Sequence, residues 1–341
     1  MNCKIFAALF AASLSISVIP LFNQRTSASL RPKVAYDMAG PADEPRIFAE
    51  GIISTSDYEG NAAFTPDGRT FYFTKRSVSY NSYLWVICRS RFAGNRWSPP
   101  EVAEFSGQYR DSDPFISPDG SKLFFISDRP VDGRPEGNFD IWVMEIEGSG
   151  WGVPRNLGAP VNTLSVEFYP TVTRDGTLYF CSNRQGGKGG FDIYRSRLAD
   201  GKYGEPENPG DAINTQFSDL QPFIAADESF LIFVSTGRLD ETMARNFYYP
   251  RGDLYISYQR DGVWTVAKNL GPKVNTPAAE SRPNMSPDGK YLFFTSERGF
   301  ATPPLKKRKT YRELIAGIRS TLNGLGNIYQ IEFNDVTQNI R

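Results

Sequence analysis

The side chains of this 341-residue chain most able to do chemistry are carboxylates and guanidiniums, because it contains no histidine. Without imidazole, Ser-His-Asp, Cys-His and histidine–zinc sites are excluded. Five acids recur at one spacing. Glu59, Asp111, Glu167, Asp219 and Glu280 each stand eight residues before Asp67, Asp119, Asp175, Asp227 and Asp288. Arg76, Arg129, Arg184, Arg238 and Arg298 follow in the same order, and Asp140, Asp192, Asp253 and Asn327 mark a third recurring position, with Tyr83 near its place in the first unit. Such a set is either a ring of carboxylates for cation binding or acid–base work, or an Arg–carboxylate lock repeated in every unit, the third aspartate sharing the arginine. An active site breaks symmetry and this pattern keeps it, so the lock is the reading adopted. No residue is assigned to catalysis, a metal or a cofactor. Gly186-Gly187-Lys188-Gly189-Gly190 lacks the spacing of a phosphate loop, and no Asp-x-Asp-x-Asp-Gly calcium loop occurs.

The aspartates that set this spacing belong to turns. Thr65-Pro66-Asp67-Gly68, Ser117-Pro118-Asp119-Gly120 and Ser286-Pro287-Asp288-Gly289 are near copies, with Thr173-Arg174-Asp175-Gly176 and Ala225-Ala226-Asp227-Glu228 as degenerate ones. The steps between the aspartates are 119−67=52, 175−119=56, 227−175=52 and 288−227=61. A period of that length, with aromatic residues at 14%, predicts propeller blades. Each unit reads as four strands. Strand A precedes the turn, and strand B is an apolar run such as Leu123-Phe124-Phe125-Ile126. Strand C opens as in Asp192-Ile193-Tyr194, and strand D carries an aromatic with a proline three residues on, as in Trp97 to Pro100. Pro114, Pro170, Pro222 and Pro283 put strand A on an edge, because proline cannot donate to a ladder. The expected fold is therefore all-β: a five-bladed β-propeller of four-stranded blades, with Arg46–Ala49 supplying the strand that the last blade lacks.

The expected boundaries are a signal peptide over 1–28, a linker over 29–42, one propeller domain over 43–333 and a tail over 334–341. The units run at about 56–106, 107–163, 164–215, 216–276 and 277–333 plus 43–55. Lys4, the apolar run Ile5 to Phe22 and Thr26-Ser27-Ala28 have the layout of an export signal, which predicts a periplasmic or extracellular protein without a membrane span in the mature chain. Lys+Arg 38 against Asp+Glu 38 gives no electrostatic case for nucleic acid. Cys88 and Cys181 fall in strands of different repeats and read as buried thiols.

The acid, the proline, the [Ser/Thr]-Pro-Asp-Gly turn, the aromatic strand, Ser-Asp-Arg and Asp-Ile-Tyr, in that order, resemble the TolB-like, WD-like Pro-Asp-Gly propeller repeats of exported bacterial proteins. The resemblance spans about residues 43–333 and implies the fold, with roles that range from partner binding to substrate gating. Three functions stay open: a monomeric binding module presenting one face to a protein or glycan of the cell envelope, a glycosidase-like enzyme using carboxylates at the channel mouth, and a scaffold of an envelope complex. The first is preferred. Its expected ligand face is Asp113 and Tyr109, with two long B–C loops contributing Tyr248 and Tyr249, and Lys306, Lys307, Arg308 and Tyr311. Leu314, Ile315, Ile318 and Leu322 predict a short amphipathic helix in the second loop.

Overall fold

In the computed structural model, residues 35–36, 43–77, 84–133, 137–148, 150–238, 252–299, 307–338 and 340 are described. The segments beginning at Tyr58–Phe64, Asp111–Ile116, Glu167–Val172, Ser218–Ile224 and Glu280–Met285 each start a blade as its innermost strand A. The second strands, B, are Thr70–Arg76, Lys122–Ser127, Leu178–Ser182, Phe230–Thr236 and Tyr291–Ser296. Their aromatic runs are buried on both faces; Phe71, Phe73, Phe124, Phe125, Tyr179, Phe180, Phe233, Phe293 and Phe294 carry almost no exposed surface. Neighbouring blades cover both faces, which is why these strands show no polar alternation.

The A–B turns close through their own side chains. Ser117 Oγ donates to Asp119 Oδ1 at 2.6 Å, the Ser121 amide donates to the same oxygen at 3.0 Å, and Gly120 takes φ 76°. Strand D is broken in each of the first four blades. In the second, Gly150–Trp151 and Arg155–Asn156 both pair with strand C, Asp140–Glu147, and Pro154 sits in the gap. A proline without an N–H makes that interruption inexpensive.

The last blade has the sheet order Arg46–Ile47, Asn327–Glu332, Tyr291–Ser296, Glu280–Met285. Arg46 faces Gln330 and Ile47 faces Tyr329, antiparallel, and the Phe48 amide continues the ladder to the Ile328 carbonyl at 2.8 Å. The closing strand is short, but Phe48 follows it into a cluster with Phe64, Phe71, Trp97 and Phe293. Residues from the first and last blades thus meet on one ring. The segment after 333, read from sequence as a tail, is the helical turn Phe333–Thr337, which buries Phe333 and Val336 against strand-borne apolar residues such as Phe230. Cys88 and Cys181 are free and buried. No described helix is long and apolar enough to cross a membrane.

If ring closure depends on this anchor, Phe48→Ala should cost about 3–5 kcal/mol, as for other buried aromatics. Urea unfolding of the variant checks this; a midpoint unchanged from the parent protein contradicts it.

Candidate functional site at the channel mouth

The recurring acids are fully buried, and each is a junction. Glu167 accepts from the Thr163 amide at 3.0 Å, Thr163 Oγ1 at 2.8 Å, Ser182 Oγ at 2.9 Å and Arg184 Nη2 at 3.2 Å. The same Arg184 nitrogen reaches the Val161 carbonyl at 2.6 Å. Arg129–Asp111, Arg238–Asp219 and Arg298–Glu280 pair at 3.3, 3.0 and 3.4 Å. Their arginines also bond the carbonyls of Phe105, Ile213 and Val274. Each junction therefore ties the segment arriving from the previous blade to strands A and B of the next. Burial pushes the Glu167 and Asp111 carboxyls up, against the hydrogen bonds and arginines that favour their charged forms.

The first blade departs from the expected pairing. Glu59 is met by Lys75 Nζ at 3.0 Å, whereas the Arg76 guanidinium lies 3.5 Å from the centre of the Tyr58 ring. The physical reason is register: Glu59 faces Lys75 across the ladder, and Tyr58 faces Arg76. The third-position aspartates are held by amides. Asp140 accepts from Asn138 and Asn156, Asp253 from Asn269, and Asp192 from the backbone N–H groups of Lys188 and Gly189.

Sequence reasoning missed the asparagines of Val161-Asn162-Thr163, Ile213-Asn214-Thr215 and Val274-Asn275-Thr276. Each pairs with both backbone groups of a strand C residue, as Asn162 does with Ile141 at 2.9 Å in both directions. Their recurrence immediately before the threonine of each junction was the available signal.

A second ring was missed in larger part. All five A strands carry an irregularity at one place, and the residue six before the turn aspartate takes a left-handed conformation there. Those residues are Asn61, Asp113, Tyr169, Gln221 and Arg282, with φ between 52° and 61°. The next residue is proline in four blades and Ala62 in the first. A bulge removes a residue from the ladder, so proline's missing donor costs nothing there. All five line the channel. Unlike the junction ring, this one has five different polar side chains.

Several of them connect from blade to blade around the channel. Gln221 Nε2 donates to the Tyr169 hydroxyl at 2.8 Å, and Gln221 Oε1 accepts from the Arg282 amide at 2.7 Å. Arg282 Nη1 donates to the Tyr58 hydroxyl, and Ser112 Oγ donates to Asp113 at 2.8 Å. A Cβ on Gly60 would come within 2.9 Å of Arg282 Cδ, so the glycine makes room for that side chain. Where the A strands begin and the B strands end, the channel widens into a cavity of about 130 Å³. Asp113, Tyr169, Gln221 and Arg282 line it, and Arg76, Trp85, Phe168, Phe191 and Leu220 are among the groups that add cationic and apolar lining.

Asp113 is 4% exposed, and burial pushes its carboxyl up to about 6, with Arg282, Ser112, Tyr169 and Asn61 working the other way. Burial opposes charge on Arg282, yet Tyr169, Tyr58 and Asp113 hold its pKa above the usual guanidinium range.

Of the other expected ligand-face residues, Tyr109 lies under Arg129, with the guanidinium carbon 5.4 Å from its ring centre. Tyr248, Tyr249 and Lys306 lie outside the described residues. Lys307 and Arg308 precede the helix Tyr311–Ile318, which begins with a capping box between Thr310 and Glu313. Tyr311 is 79% exposed, and neither it nor the two basic residues line the cavity.

No protein-family profile and no curated protein sequence matches the chain. Among solved structures, it is similar to a GH43 endo-arabinanase from Bacillus licheniformis at 10% identity and TM-score 0.48, over 82% of this chain and 96% of that one. It is similar to the GH93 α-L-arabinofuranosidase of Fusarium graminearum at 10% identity and TM-score 0.47, over 86% and 99%. For a puromycin-hydrolysing peptidase of Mycobacterium tuberculosis the values are 12% and 0.36, and the match spans 80% of this chain but only 42% of the peptidase. Likeness of this degree carries nothing about what the chain binds.

The Asp113 carboxyl fixes a pH dependence. Its folded pKa lies above the ordinary 3.8, so its contribution favours folding fully below about pH 4 and is lost as the pH rises through about 6. Asp113→Asn keeps a residue that tolerates left-handed backbone and removes the titration. It should stabilise the protein at pH 8 by on the order of 2–3 kcal/mol and hardly at pH 4. Thermal melts at the two pH values decide; an equal shift at both contradicts the assignment.

Proposed function

We propose that the chain is an exported, TolB-like propeller that acts as a binding module and receives its ligand in the channel-mouth cavity. The observation that carries this reading is the asymmetry of the bulge ring. Five structurally equivalent positions hold Asn61, Asp113, Tyr169, Gln221 and Arg282, although the junctions around them repeat almost unchanged. A left-handed φ on a tyrosine, glutamine or arginine is unfavourable backbone, and it is maintained here where the side chains face a cavity. The ligand group that fits is small, because a hydrocarbon-lined cavity of about 150 Å³ holds one benzene-sized ring. The surrounding face, including the exposed helix Tyr311–Ile318, is available to the remainder of a larger protein or glycan partner.

Binding is preferred over glycoside hydrolysis for a reason of geometry. Hydrolysis uses two carboxyls about 5–10 Å apart around the scissile bond. Among the described residues, Asp113 is the cavity's one carboxyl, and the five junction acids are fully buried and do not line it.

A thermal-shift screen with N-acetyl amino acids, monosaccharides and aromatic acids tests the site when run on the parent protein and on Leu220→Trp, which fills the cavity. A compound at about a hundred times its Kd stabilises by roughly 2.7 kcal/mol, a readily measured shift. Hits that stabilise the parent alone support the channel mouth; hits that stabilise both equally put binding elsewhere.

A further inference from the structure

The charge balance of the cavity restricts its ligand further. Two guanidiniums, Arg76 and Arg282, flank Tyr58, one 3.5 Å and the other 5.4 Å from its ring centre. Among the described residues, neither has a carboxylate within 4.0 Å, whereas the arginines of the other four blades all pair with their junction acids. Guanidinium favours planar, two-oxygen acceptors.

The polar groups beside them are already committed. Gln221 is used by Tyr169 and by the Arg282 amide, and Ser112 by Asp113 and Thr74. Few donors or acceptors remain for a ring of hydroxyls. Trp85, Phe168, Phe191 and Leu220 supply an apolar part of the lining. Two guanidiniums against the single carboxyl of Asp113, together with this hydrocarbon, fit an amphipathic anion.

From this juxtaposition we propose that the cavity binds a carboxylate carried on a ring-sized apolar group, with the carboxylate at Arg282 and Arg76 and the apolar body against the Trp85–Phe168 wall. The inference rests on the channel-mouth reading above. Two sources share this chemistry, a free aromatic acid and the C-terminal residue of a peptide with an apolar side chain.

Calorimetric titration of the purified full chain separates the possibilities. The probes are benzoate, N-acetyl-L-phenylalanine, their two neutral amides, and glucuronate. Each acid should bind about tenfold to a hundredfold more tightly than its amide, the range of a charged hydrogen bond. Binding by benzoate alone identifies a free acid, and a preference for N-acetyl-L-phenylalanine identifies a chain terminus. Arg282→Gln should abolish the preference for acid over amide. Because Arg282 also braces Tyr58, Arg76→Gln is run in parallel and should weaken the preference without unfolding the protein. Amides binding as tightly as acids overturn the proposed anion and leave the cavity as a binding site. Glucuronate binding in place of the aromatic acids overturns the apolar body and also leaves the cavity. Failure of all five probes, with the cavity-filled variant giving the same thermal-shift profile as the parent, overturns both readings.

Discussion

The buried carboxylate that opens each A strand is the constraint on which the rest of the structure depends. A carboxylate removed from water is unfavourable unless its oxygens are satisfied, and the third blade shows how groups from different segments do so. Thr163, Ser182 and Arg184 converge on Glu167 from the incoming connection and from strand B. The apolar faces of neighbouring blades could pack in more than one register, because hydrocarbon contact has little direction. Hydrogen bonds to a fixed oxygen have direction, so the junctions set where each blade stands relative to the one before it.

With alignment assigned to the junctions, the inner edge of the ring is released from repetition. Strand A has no partner on its channel side, and the bulge turns one residue per blade toward the axis in a conformation that costs free energy. Nothing about the blade requires that residue to be the same in each copy. Asn61, Asp113, Tyr169, Gln221 and Arg282 differ in size, charge and hydrogen-bonding capacity, and together they line the channel with one cation, one acid, one phenol and two carboxamides. The first blade, where Lys75 replaces an arginine at the junction, also frees Arg76 to stack on Tyr58 beside that surface.

Much of the frame was legible in the sequence because its signals are periodic. The Asp-Gly turns, the apolar B strands and the prolines of strand A recur at fixed offsets, and Arg46–Ile47 resembles a D strand closely enough to be placed in the last blade before the fold is seen. The site was less legible. Asp113 stood out as an extra acid beside Asp111, but Gln221 and Arg282 look like ordinary polar residues until the bulge is known to point them inward. Their offset of six from the turn aspartate was as readable as the offset of eight used for the acids. It went unused because the five residues share no type, and a search for repetition passes over a position whose purpose is to vary. Arg76 was misplaced for a related reason: alignment of the repeats put it with Glu59, whereas the ladder puts Lys75 there.

The division between a symmetric frame and a variable inner ring is tested most directly by making the inner ring symmetric. Asparagine already occupies the position in the first blade and tolerates its backbone. The single measurement is calorimetric melting of the variant carrying Asp113→Asn, Tyr169→Asn, Gln221→Asn and Arg282→Asn, recorded with and without benzoate. One cooperative transition is expected within about 10 °C of the parent protein, with no shift on adding benzoate. Loss of the cooperative transition would contradict it, because the inner ring would then be part of what holds the blades together.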